Sequence, residues 1–309
     1  MKAVIYRSYG GPEVLEYVDI PDPAAGAGEV LVRLQAACSA PFDWKLRAGL
    51  LQQHFQVTFP AVPGRDGVGT VEAVGAAVTD LARGDRVSVI AAYRHQGTYA
   101  EKIAVPRQNL VLCPAALTPV QAVAGLNAGI NAYTCFTMAD IQPGQRVLIH
   151  GGAGAVGGIL VQLCHKHGAD VTATCRASNR DYVIGLGADR AIAYDTEDFG
   201  VLSDIDVVVD LIGGDVHDRS YPVLRRGGKL IYLNALPITD RGVEYGVTVK
   251  LGSTGGSAGA DTINKVLELA AAGIFVPQVA STLPLSDAIA AHRRMESGLV
   301  TRGRLVLTM

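Results

Sequence analysis

With 309 residues the chain is longer than one hydrophobic core usually serves, so its length predicts two domains. Its 27 Lys and Arg against 29 Asp and Glu leave a formal charge of −2 with no long basic run, which argues against nucleic acid or a membrane surface as partner. A content of 49% hydrophobic and 18% charged residues fits a soluble enzyme, and no apolar run approaches the roughly 20 residues of a membrane span.

The opening MKAVIYRSYG reads as a strand start and lacks the apolar region of a signal peptide. Residues 1–116 carry strand-length runs (KAVIY, EVLVRLQAA, DGVGTVEAVG, DRVSVIAAY, TYAEKIAVP) punctuated by Pro and Gly, the pattern of a compact, largely antiparallel barrel. From Leu117 to Ala139 the period turns helical. After the turn Gln142-Pro143-Gly144 the expected order is strand 146–150, helix 155–168, strand 170–174, helix 178–187, strands 190–194 and 205–210, helix 215–225, strands 229–234 and 247–251, and helix 259–273. Such alternation implies a parallel sheet with right-handed crossovers. From about Val276 the tail returns to short strands and one helix and is expected to pack back on the first domain. The five cysteines, Cys38, Cys113, Cys135, Cys164 and Cys175, are odd in number and scattered, so reduced thiols in a cytoplasm are expected. His165 and His167 would face different sides of a helix, a poor pair for a metal.

The most informative stretch is RVLIHGGAGAVGGILVQL at 146–163, a short apolar strand that breaks into glycines and resumes as a helix. Gly151, Gly152, Gly154 and Gly157 permit a sharp turn and close approach to a pyrophosphate, and a helix from about Ala155 aims its free N–H groups at that charge. Gly151, Ala153, Gly154, Ala155, Val156 and Gly157 are therefore expected to bind a dinucleotide. Where an NAD-binding chain carries a carboxylate for the ribose, Cys175–Arg180 offers Arg176, Ser178 and Arg180. Two guanidiniums and a hydroxyl suit a 2′-phosphate, so NADPH is the expected cofactor; the bland alternative is that both arginines are solvated.

The segments GGPEVLEYVDIPDP, PGRDGVGTVEAVG at 63–75, GTYAEKIAVP at 97–106 and GGAGAVG at 151–157, taken with the order of elements, cover essentially the whole chain. Together they resemble the medium-chain dehydrogenase/reductase superfamily, and most closely its zinc-independent quinone-oxidoreductase branch. The resemblance implies an α/β fold in which a GroES-like β-barrel catalytic domain (1–116 and 276–309) accompanies a Rossmann doubly wound parallel sheet (117–275). It also places Ala40 and Arg65 where zinc-containing members keep a cysteine and a histidine, and Tyr93 to Tyr99 passes without the structural cysteine lobe. Alanine has no donor and arginine stays protonated, so no metal is expected.

By the same resemblance, Ala40–Gly49 faces the substrate, with Ala40 departing from the usual asparagine. Lys45 would contact cofactor phosphates or donate to a developing oxyanion, unless it is a surface charge beside a core Trp44. Asn131 falls on the nicotinamide side, Tyr194 beside the adenosine phosphate, Asn234 and Ala235 at the carboxyl end of the sheet, and Arg304 in place of a common lysine. The edge strand Val247–Leu251 would pair with its own copy in a homodimer, or Lys250 would guard it in a monomer. The reading is an NADPH-dependent reductase delivering hydride to a small-molecule acceptor, a quinone or an α,β-unsaturated carbonyl. An enoyl-thioester reductase of the same superfamily and an NADPH-binding sensor without turnover stand as alternatives.

Overall fold

The strand signals of the first third and the alternation that follows build two large sheets joined by one long helix, and the first two strands pair in a small antiparallel sheet of their own. The computed structural model describes residues 1–92, 96–233, 238–253 and 258–309. In chain order the first part contains β1 (Lys2–Ile5), β2 (Glu16–Asp19), β3 (Glu29–Ser39), α1 (Pro41–Arg47), β4 (Asp66–Val74), β5 (Arg86–Ile90), β6 (Lys102–Pro106) and β7 (Leu110–Leu112). Then come α2 (Pro119–Ala139), β8 (Arg146–His150), α3 (Ala155–Lys166), β9 (Asp170–Cys175), α4 (Arg180–Gly185), β10 (Arg190–Ala193) and β11 (Ile205–Asp210). The chain continues through α5 (Asp215–Ser220), β12 (Leu224–Tyr232), α6 (Gly242–Tyr245), β13 (Thr248–Leu251) and α7 (Ala260–Ala271), and ends with β14 (Val279–Pro284), α8 (Ala288–Glu296) and β15 (Arg304–Thr308).

The spine of the first sheet is β3. One side pairs antiparallel with β4; the other pairs with β6 over Glu29–Arg33 and with β15 over Ala36–Ser39. The tail thus returns to the first part of the chain, as the sequence pattern requires. The second sheet has the order β10-β9-β8-β11-β12-β13 and is parallel throughout. Counted from β8 this is the doubly wound order in which a dinucleotide lies across the crevice where the strand order reverses. Its central strands are apolar on both faces, as buried parallel strands must be. Val147 and Ile149 of β8 pack into one core with α2 and α3, while Leu148 joins Val208 and Leu230 in the other.

Helix α2 lies between the sheets and touches β3, β4, β12, β15, α3 and α7. Its apolar residues therefore run all round rather than along one stripe. A capping box of Thr118 and Gln121 starts it, with Pro119 at the first position, and Asp140 ends it at φ 49°.

Three boundaries differ from the pattern. The helix expected over 215–225 stops at Ser220 and Leu224 already belongs to β12, because Pro222 has no N–H to continue the ladder past Tyr221. The short helices α1 and α6 carry too few residues for a periodic signal. All five cysteines are buried and unpaired, and among the described residues no helix is long and apolar enough to cross a membrane.

Burial shifts two ionisable groups in opposite directions. On α8, His292 is fully buried edge-on to Tyr99, and neither ring nitrogen has a hydrogen-bond partner. Burial, with help from Arg47, lowers it from its usual 6.5 to about 3. A depressed histidine contributes stability above its unfolded value that is lost as pH falls. Burial acts oppositely on Asp43, raised to about 7, which contributes stability at low pH that is lost as pH rises through 7. The two slopes oppose one another in the native chain, so a difference measurement isolates His292. We expect His292→Phe, of similar shape, to gain stability over the native chain by about 1.4 kcal/mol per pH unit below 6.5 in urea titrations; a pH-independent difference between pH 6.5 and 5 would contradict the burial argument.

Candidate nucleotide-binding cleft

Strand β8 ends in a turn that only glycine accommodates at two places. Gly151 adopts φ 78°, and a Cβ on Gly157 would lie 2.2 Å from the Gly151 carbonyl oxygen. The turn is closed by Gly152 N–H to the Thr174 carbonyl (2.9 Å) and Gly154 N–H to the Gly151 carbonyl (3.0 Å). Gly154 then starts α3 with no side-chain cap, so the first N–H groups of the helix remain for a ligand. A Cβ on Gly154 would meet only the Gly151 oxygen, at 3.4 Å, so this edge of the turn faces open space. Such an uncapped helix end bordered by an open glycine edge is the cradle a pyrophosphate needs, and the residues present fit a dinucleotide. The ceiling comes from the other sheet, where Gly303, just before β15, forms a bridge with Gly154.

At the end of β9 the structure gathers some of the expected residues and separates others. Arg176 Nε–H donates to Tyr194 Oη at 3.1 Å, and both side chains are largely exposed. Ser178 is exposed beside them, and its carbonyl accepts from Arg302 Nη2 at 2.7 Å. Arg302 Nε also donates to Asn179 Oδ1 at 2.6 Å, while its guanidinium lies 4.7 Å above the Tyr182 ring. Arg180 turns elsewhere: its guanidinium pairs with Glu197 (2.8 Å) and donates to the Ala191 carbonyl (3.2 Å). A cavity of about 520 Å³ adjoins this corner, lined by Tyr182, Gln278, Arg294, Thr301, Arg302 and Gly303 among others. Arg302 escaped sequence reasoning because it lies 122 residues from Arg180, in a tail whose only signal was TRGRLVL.

On α1, Lys45 is exposed, with Nζ 5.8 Å from the Trp44 ring centre, and Trp44 is half-buried rather than core. Asn131 is half-buried on α2, with Nδ2 3.4 Å from Asn127 Oδ1. No contact joins Lys45 to Asn131. Arg304 is buried at the head of β15, near the buried carboxylates of Asp43 and Asp66. Burial raises both acids; the Ala40 N–H, which donates to Asp43 Oδ2 at 2.8 Å, lowers Asp43, and Arg304 and Arg65 pull both back. Among the described residues no cluster of three His, Cys, Asp or Glu side chains is placed to hold a metal. Ala153, Ala155 and Val156 lie on the turn and the first turn of α3, whereas Asn234 and Ala235 lie outside the described residues.

Comparisons with known proteins agree with this geometry. Residues 26–115 match the alcohol dehydrogenase GroES-like domain family, and residues 186–307 a family described as zinc-binding dehydrogenase. Ala40 and Arg65 at the ligand positions do not fit a zinc ion, so that description does not extend to the donor set here. A chloroplastic quinone-oxidoreductase homolog of Spinacia oleracea is 34% identical over 250 residues, 77% of this chain and 76% of that protein. A chloroplastic NADPH-dependent alkenal/one oxidoreductase of Arabidopsis thaliana is 36% identical over 262 residues, 80% of this chain and 66% of that protein. The crystal structure of the Escherichia coli quinone oxidoreductase complexed with NADPH superposes with a TM-score of 0.90 at 27% identity, covering 100% of both chains. Two sheets joined in this order, a glycine turn free to take a pyrophosphate, and relatives of this similarity place the chain in the zinc-independent quinone-oxidoreductase branch of the medium-chain dehydrogenase/reductase superfamily.

Proposed function

We propose that this chain is an NADPH-dependent reductase that passes a hydride to a quinone or an α,β-unsaturated carbonyl without zinc. The observation that carries the reading is the corner at the end of β9, where Arg176, Tyr194 and Arg302 gather and residues 175–180 hold no carboxylate. Arg302 retains Nη1, and Arg176 both terminal nitrogens, for a 2′-phosphate. Gly151, Ala153, Gly154, Ala155, Val156 and Gly157 cradle the pyrophosphate. Arg304, next to the Gly303 bridge, serves the same side with its charge anchored by Asp66 and Asp43. Asn234 and Ala235, outside the described residues, are assigned to the cofactor from their sequence position after β12.

The bound dinucleotide supplies the hydride. The chain's own residues position the acceptor and answer the charge that develops on its oxygen. Lys45 Nζ–H and Asn131 Nδ2–H are the donors assigned to that oxygen. The cleft lies between a catalytic domain of 1–116 with 276–309 and a nucleotide domain of 117–275, and the protein works in the cytoplasm. NADPH oxidation should proceed with at least one member of a panel of quinones and enones; NADPH binding without turnover on any of them would favour a sensor.

Selectivity for NADPH over NADH should fall by about 1–3 kcal/mol in Arg176→Ala and in Arg302→Ala, the range for a lost charged hydrogen bond. Arg180→Ala should leave it nearly unchanged, since Arg180 is spent on Glu197. Comparing Kd for the two cofactors by nicotinamide fluorescence checks this, and a native chain with equal affinities would refute the assignment.

We further propose a homodimer formed by edge-to-edge pairing of β13. It is the outermost strand of its sheet, with β12 as its one neighbour and Leu251 half exposed. Light scattering at micromolar concentration should give a dimer mass for the native chain and a monomer mass for Val249→Pro, because proline removes a ladder donor; a dimer that survives the substitution rules out this edge.

A further inference from the structure

Two buried hydrogen-bond chains that the hydride reaction does not use meet on α5, under the carboxyl edge of the parallel sheet. In the first, Ser220 Oγ donates to the Val216 carbonyl at 2.7 Å, so it accepts from His150 Nε2–H at 3.1 Å. His150 Nδ1 then accepts from Thr174 Oγ1 at 3.2 Å, and Thr174 Oγ1 accepts from the N–H of Gly151, also at 3.2 Å. Burial lowers His150 to about 4, so it stays neutral and the direction of this chain is fixed. The glycine turn is thereby tied to α5.

In the second chain, Asp210 ends β11 directly across from His150 of β8. Its Oδ1 accepts the N–H groups of Ile212 (2.8 Å) and Gly213 (2.9 Å), and its Oδ2 accepts His217 Nδ1–H at 3.0 Å. His217 Nε2 faces Tyr221 Oη at 3.2 Å, and Tyr221 Oη accepts the Arg241 N–H at 3.2 Å. Asp210, His217 and Tyr221 are all fully buried. One side chain therefore connects the loop after β11 to the segment that leads into α6. The first of these loops touches the glycine turn, since a Cβ on Gly151 would lie 3.1 Å from Ile212 Cδ1.

We propose that His217 is a positioning residue of the cofactor cleft. Through Asp210 it fixes residues 211–214 against the glycine turn and through Tyr221 it holds residues 239–241 to α5, and so shapes the half of the crevice that takes the nicotinamide, without touching the cofactor. The inference rests on the dinucleotide reading above. In the doubly wound order, the half over β9 and β10 takes the adenosine, and the half over β11, β12 and β13 takes the other nucleotide. His217 and its partners stand wholly on the second half, while Arg176, Ser178 and Arg302 stand on the first.

That division gives a test independent of turnover. NADPH and 2′,5′-ADP, which has only the adenosine half, are titrated by calorimetry against the native chain, His217→Phe, His217→Asn and Tyr221→Phe. His217→Phe takes the imidazole donor from Asp210 Oδ2 and the imidazole partner from the Tyr221 hydroxyl, and should weaken NADPH about ten-fold or more while leaving 2′,5′-ADP unchanged. His217→Asn keeps a donor for Asp210 and should recover part of the loss. If His217→Phe does not fold, Tyr221→Phe, which removes one oxygen, should still weaken NADPH alone. Equal weakening of both ligands, or unchanged NADPH affinity in a folded variant, overturns the proposal and leaves the dinucleotide reading intact. A native chain that binds neither ligand overturns both.

Discussion

The pairing of β15 with β3 is the constraint on which the cleft depends. Its register, Leu305 opposite Ser39 through Thr308 opposite Ala36, is set by buried residues on both strands, and a slip of one position would turn Leu305 and Leu307 away from their core. That register in turn fixes what precedes the strand. Arg304 enters the buried acids, Gly303 meets Gly154, and Arg302 reaches the loop after β9. Three consecutive residues thus deliver the last piece of the chain to three stations along one groove. Fastening the two sheets is therefore a task of backbone pairing, and the side chains inherit their positions from it.

The charges near Ala40 and Arg65 follow a different logic. Two buried carboxylates would repel each other at a cost, and the charge of Asp66 does raise Asp43 in part. Arg304 and Arg65 offset this, and the Ala40 N–H takes one oxygen of Asp43. The arrangement sets acid against guanidinium. Removing one member would leave the others uncompensated in a dry interior, which is costlier than never having had the set.

Local signals made much of this legible in the sequence. The break of strand 146–150 into glycines and the two-sided apolar strands that follow are short-range patterns, and they fold as the pattern implies. Pro222 cut a helix short because a missing donor outweighs favourable periodicity. What the sequence did not show depends on contacts between distant residues. Arg176 and Arg180 look equivalent four positions apart, yet Glu197, across β10, claims only Arg180. Arg302 and His217 gain their roles from partners brought by the fold, and neither sits in a motif. Trp44 would be core if Lys45 were a mere surface charge, and the helix that carries both leaves Trp44 half in water.

Burial of every cysteine has a consequence for the proposed reduction of conjugated acceptors. Quinones and enones alkylate thiolates, and the thiolate rather than the thiol is the nucleophile. Burial pushes Cys38, Cys135 and Cys164 up to about 12, and none of the five thiols reaches the surface. The same packing that fills the core between α2, α3 and the sheets therefore withholds the chain's own nucleophiles from its substrate class. On the proposed function, resistance to suicide inactivation would come from where the sulfur atoms are stored.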